Sequence, residues 1–171
     1  MSAPGVNRAL TPRHGEERTQ LDAWLDFHRD TLLLKCAGLT NTQLRTQSAE
    51  PSTLSLLGLV RHMTEVERYW FRRQFGRAAI EPLYWDVDGD PDFDVNGALT
   101  SDAAADFAAY QEEVLAVRAT VTGRSLDEQF VARDGVTTDL RWVYLHMIEE
   151  YARHNGHADL LRQRIDGRVG Q

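Results

Sequence analysis

The sequence predicts an all-α fold, a four-helix bundle with a long loop between helices two and three. Three observations predict it. Four stretches repeat apolar residues at the three-and-four spacing of a helix face. Glycine, proline and polar runs separate them, and no convincing run of strand residues interrupts them. The 171 residues suit one domain with a sizeable core. The expected organisation is a flexible N-terminal arm over 1–15, one helical domain over 16–166, and a frayed tail over 167–171.

The first helix spans about Glu16 to Ala37. Leu21, Leu25, His28 and Leu32 form its stripe, with Trp24 and Cys36 on the shoulders, and Gly38 ends it. Thr40 and Gln43 have the spacing of a capping box and start a short helical turn. The second helix covers about Leu54 to Phe75. It buries Leu56, Leu59, Met63, Val66 and Trp70, carries His62 on the edge of that face, and closes at Gly76.

Residues 77–100 show no helical period. Asp86, Asp88, Asp90, Asp92 and Asp94 resemble a calcium loop in composition, but counted from Asp86 or Asp88 no glycine falls at the sixth place and no glutamate at the twelfth. The stretch is therefore expected to be a solvated acidic loop, packed by Leu83, Tyr84, Trp85 and Phe93, that roofs a pocket. The third helix runs from about Asp102 to Thr122, capped by Ser101 and burying Phe107, Val114 and Val121. Ser125 to Phe130 reads as another helical turn, and Asp134-Gly135 as the tip of a small hairpin. Asp139 caps the fourth helix, about Leu140 to Arg164.

Composition excludes several classes. Net charge is −7, against a nucleic-acid surface. No apolar run approaches the roughly eighteen residues of a membrane span. The first fifteen residues lack the apolar core of a secretory signal. A single cysteine, Cys36, rules out an intramolecular disulfide, and a cytoplasmic location is expected. Cys36 lies in an apolar run and reads as a packing residue.

The fourth helix carries the chemistry. Val143, Met147, Glu150, His154 and Leu161 share one stripe. A carboxylate and an imidazole thus stand where core packing favours Leu or Val. Burying an unpaired carboxylate is costly, so Glu150 needs a partner. One answer is a divalent metal shared with His154, four residues on and one turn above. Another is an ion pair with Arg29 or Arg118. A catalytic zinc-type site uses three protein ligands and an open position. His62 on the second helix is the first candidate for the third ligand. His157 is a candidate extra ligand or acid–base residue, and His146, two turns before His154, a candidate support behind the ligands, with a plain structural role as the alternative for both. His28 reads as a hydrogen-bonded core residue. There is no His-Glu-x-x-His motif, no repeated Glu-x-x-His pair, no phosphate-cradling glycine loop and no Gly-x-Ser-x-Gly elbow.

Several ordered blocks resemble the DinB-like superfamily of metal-binding four-helix bundles, and within it the actinobacterial mycothiol transferases. They are Leu21-Asp22-Ala23-Trp24-Leu25 with His28-Arg29, Cys36-Ala37-Gly38-Leu39-Thr40, Ser55 to Glu67, Tyr69-Trp70-Phe71-Arg72-Arg73, and Met147 to Arg162. Many superfamily members use three histidines as ligands. The matching positions here are His62, Glu150 and His154, with glutamate in place of the first fourth-helix histidine. The resemblance implies a divalent ion, zinc first and nickel, iron or manganese otherwise. It also implies mycothiol or a similar thiol as co-substrate, an electrophilic small molecule as the second substrate, and a homodimer. His157 is the expected catalytic residue, and Arg29 or Arg153 is expected to grip a substrate carboxylate. Two other readings keep the fold: hydrolysis by metal-activated water, and a stress-linked bundle with no catalysis.

Overall fold

The computed structural model describes residues 6–85 and 95–169. The acidic run from Asp86 to Asp94 lies outside the described residues. Among the described residues, six α-helices and one two-stranded sheet follow in order: α1 (Glu17–Cys36), α2 (Asn41–Arg45), α3 (Leu56–Glu67) with a π-helical continuation (Arg68–Phe75), α4 (Val95–Thr100), α5 (Ala103–Val121), β1 (Gln129–Val131), β2 (Thr137–Asp139) and α6 (Leu140–Asp166). Each long helix has an apolar face, and these faces meet in one core that includes Leu25, Leu32, Leu56, Leu59, Met63, Phe71, Phe107, Val143 and Met147.

Local chemistry sets the element ends. The Thr40 hydroxyl accepts from the Gln43 amide while the Gln43 side chain accepts from the Thr40 amide, which starts α2. Ser55 accepts from Gly58 at the start of α3. Asp139 accepts from Trp142 at the start of α6. Asp102, rather than Ser101, caps α5, accepting from Ala104. Gly38 takes a φ of 76° just past α1, a left-handed conformation that glycine adopts without strain.

Three further expectations are corrected. The 77–100 stretch holds a helix, α4, where no period was legible. Gln129 and Phe130 join Val131 in β1 rather than ending a helical turn, and β1 pairs antiparallel with β2, Phe130 facing Thr138. The second helix changes pitch at Arg68. Its ladder widens until the Gly76 amide donates to the Phe71 carbonyl at 2.9 Å, five residues back. A Cβ on Gly76 would stand 2.7 Å from the Thr120 methyl and 2.9 Å from the Arg72 carbonyl oxygen, so only glycine lets this helix end approach α5.

Helix directions follow from which residues meet. Asp22 meets Tyr144, His28 meets Asn155, and Lys35 meets Arg162, so α1 and α6 run parallel. Arg61 meets Asp106 and Arg68 meets Glu113, so α3 and α5 also run parallel. His62 faces His154 while Trp70 faces His146, so α3 and α6 are antiparallel.

One polar knot crosses the core and draws a residue from each of the four long helices. Arg29 donates to both oxygens of Glu67 at 2.7 Å, Tyr151 donates to Glu67 Oε1 at 2.9 Å, and the Tyr110 and Tyr151 hydroxyls share a bond of 2.9 Å. Glu67 and Tyr151 are fully buried. The knot fixes the rotation of α6 about its axis. Glu150, the residue before Tyr151, is thereby set facing α3.

Candidate metal centre

α3 supplies His62, and α6 supplies Glu150 and His154. His62 and His154 pack ring to ring with centroids 4.6 Å apart. One turn of α6 brings Glu150 Oε2 to 3.2 Å from His154 Nε2. One ligand-type atom from each of the three residues lies within 4.8 Å of the others. Both imidazoles are buried, and the Glu150 side chain is 13% exposed. The three side chains therefore converge, as the stripe and the helical spacing anticipated.

The donor set suits a divalent cation: two imidazole nitrogens and one carboxylate oxygen are zinc-type ligands. Protonation state fits as well. Burial first, then the nearby His62, His157 and Arg153, push the His154 pKa down to about 3. Its ring stays neutral at physiological pH and keeps a lone pair to give. Neither Arg29 nor Arg118 reaches Glu150. Arg29 belongs to Glu67 and Asp26, and Arg118 pairs with Asp26. Arg153 does contact Glu150, but at one oxygen (3.0 Å) and from a half-exposed position, with Glu149 as its other partner.

The remaining histidines separate clearly. His157 Nδ1 lies 3.3 Å from His154 Nδ1, on the cluster's edge. His146 stacks on Trp142 at 4.8 Å and meets the Trp70 edge at 4.9 Å. His146, Glu149 and Glu150 form a second donor group that shares Glu150 with the first, with Glu149 exposed. His28 stays away from the cluster. The Asn155 amide donates to its carbonyl oxygen at 3.0 Å, and burial and Arg8 lower its pKa. Burial pushes the Cys36 thiol up to about 12, which leaves it a packing residue.

The cluster opens into a cavity of about 410 Å³. Its lining is made of His62, Glu150, His154 and His157 together with Val66, Trp70, Trp85, His146 and Arg153. Sequence reasoning treated Trp70 and Trp85 as packing residues only. It also passed over Glu65 and Glu67, although two glutamates inside Met63-Thr64-Glu65-Val66-Glu67 on an apolar helix carry the same signal that exposed Glu150.

Fold and site together define a helical protein with a converging His–Glu–His cluster beneath an aromatic-walled cavity. The chain belongs to the mycothiol S-transferase family, whose sequence model matches residues 20–167. That family is DinB-like, in agreement with the resemblance carried by the sequence blocks. The matched span includes all three cluster residues. No match to the chain is found among curated proteins. Among the described residues, no helix is long and apolar enough to cross a membrane.

Proposed function

We propose that this chain is a metal-dependent thiol S-transferase, built as a DinB-like four-helix bundle, that joins mycothiol to an electrophilic small molecule. The convergence of His62, Glu150 and His154 in the lining of the cavity is the observation that carries this reading. A divalent ion such as zinc, when bound there, supplies the charge that keeps a thiol sulfur ionised at neutral pH.

The chain's own residues set the rest. Glu150 and His154 are held by the rotation of α6, and His62 by the packing of α3 against it. We read His157 as a positioning residue, where the sequence offered an extra ligand or an acid–base residue. Its Nδ1 lies 3.3 Å from His154 Nδ1, a contact that orients the ring of its neighbour. The thiol gives its proton to solvent. Its sulfur then forms a C–S bond to the electrophile while the bond to the leaving group breaks, and that group departs with the electron pair. Arg153 at the mouth offers a cation to an anionic substrate group, whereas Arg29 is committed to Glu67. A reducing cytoplasm suits both the unpaired Cys36 and a thiol co-substrate, and a homodimer is the expected assembly.

The test combines elemental analysis of protein purified without a nickel column with turnover of a model electrophile by mycothiol, glutathione or no thiol. Wild type is expected to carry about one ion per chain and to consume mycothiol. His62→Ala should lose the ion and the turnover together. Bound metal without transfer to any thiol, or unchanged metal in His62→Ala, overturns the reading. Product formation without thiol would instead mark a hydrolase.

A further inference from the structure

We propose that the electrophile taken by this cavity is a flat, electron-poor aromatic compound stacked against Trp70 and Trp85, and that Glu65 is the positioning residue that holds the Trp85 wall. This rests on the thiol-transfer reading for its chemistry but not for its binding.

The wall is built from rings. Trp85 meets Tyr69 with centroids 5.4 Å apart, and Tyr69 meets Trp70 at 5.2 Å. Trp70 in turn meets Trp142 at 5.0 Å and His146 at 4.9 Å. Trp70, Trp85 and His146 from this run face the cavity beside Val66. Indole faces carry negative quadrupole density, so they favour rings drained of electrons. An arene becomes open to attack by a thiolate when electron-withdrawing groups drain it. Recognition and reactivity therefore select the same compounds. The cluster residues line the same cavity, and ligand-type atoms of His146 and Glu150 lie within 4.8 Å of each other, which places a ring stacked on this wall beside the cluster.

Trp85 lies outside any helix, so something must hold it. Glu65 is fully buried on α3, and its Oε2 accepts from the Leu83 amide at 2.7 Å and the Tyr84 amide at 2.9 Å. Among the described residues its Oε1 accepts no hydrogen bond. A buried carboxyl group is a costly way to fill a helix face. Here its contacts go to the two residues before Trp85. The same segment is gripped again through the Tyr84 ring, 4.0 Å beneath the Arg61 guanidinium, and through its hydroxyl, which donates to Asp106 at 3.3 Å. Glu65 is not among the three cluster residues.

The experiment compares 1-chloro-2,4-dinitrobenzene with iodoacetamide, both with mycothiol. Each kcat/KM is divided by its own uncatalysed rate. Wild type is expected to favour the arene at least about tenfold. Trp85→Ala should lower that ratio about five- to tenfold, the scale of one aromatic contact. Glu65→Leu should lower it similarly through KM, with kcat within about twofold and bound metal unchanged. Glu65→Gln, whose carbonyl can accept from both amides, should restore it. No preference in wild type, or a Glu65→Leu ratio equal to wild type, overturns the proposal. So does a Glu65→Gln variant as impaired as Glu65→Leu. If no thiol reacts with either compound, the transfer reading fails and the pocket is judged by binding of unreactive 2,4-dinitrotoluene, followed by quenching of tryptophan fluorescence. Binding weakened about fivefold or more in Trp85→Ala then supports the aromatic site. Absent binding, or equal binding in the variant, overturns it. Trp85→Ala keeps the test open should Glu65→Leu fail to fold.

Discussion

At the residue scale, the cluster was legible because a polar group on a buried stripe is expensive and helical spacing fixes its direction. Glu150 and His154 needed nothing beyond their own helix. The partners of Glu67 were not legible, since Arg29, Tyr110 and Tyr151 come from three other helices. His28 yields a pH prediction. Burial and Arg8 hold its folded pKa below the ordinary 6.5. Above pH 6.5 both folded and unfolded states hold it neutral, and stability owes nothing to its titration. As pH falls through 6.5 the unfolded chain takes up a proton that the folded ring resists, so stability drops. The slope is at most about 1.4 kcal/mol per pH unit, and it ends at the lowered folded pKa. Urea unfolding at pH 7.5 and 5.5 should show His28→Gln losing less stability between the two than wild type. Equal losses would show that His28 is not a group that senses acid.

At the element scale, the caps and the hairpin could be read because their signals are local: Thr40 with Gln43, Asp139 before an apolar run, and Asp134-Gly135 between short polar strands. α4 escaped because six residues are too few for a period to declare itself. The π-helical turn escaped because its side chains also fit a narrower helix. What selects it is the tertiary approach of Gly76 to Thr120. Gly76→Ala should destabilise the protein by about 1–3 kcal/mol, the range for overpacking a tight contact. Gly76→Ala combined with Thr120→Ser, which removes the clashing methyl, should recover part of the loss. Chemical denaturation checks both, and a neutral Gly76→Ala would mean the helix end relaxes away from α5.

At the scale of the whole molecule, the direction of each helix was not written in any stripe. Only the length of the connection between α3 and α5 hinted at a parallel pair. The candidate metal centre depends on that arrangement, because His62 and His154 lie on different helices that meet only in the folded chain. A ligand bound by the folded state alone stabilises it by mass action. Zinc at about one hundred times its dissociation constant should add roughly 2.7 kcal/mol, which raises Tm by about 5–10 °C in a chain of this size. Thermal melts with zinc and with a chelator should differ by that amount in wild type and by little in His154→Ala. Identical melts in wild type would argue against an ion at this position.

The Arg29–Glu67–Tyr151–Tyr110 contact has a consequence for how the protein is assembled. Three helices docked in place with the fourth slipped by a turn would leave ionic or hydroxyl groups stranded in oil. Half-built arrangements are therefore penalised at the centre, where greasy side chains alone would tolerate them. The chain is pressed toward one seating of all its long rods, and the cavity with its cluster arrives complete or not at all.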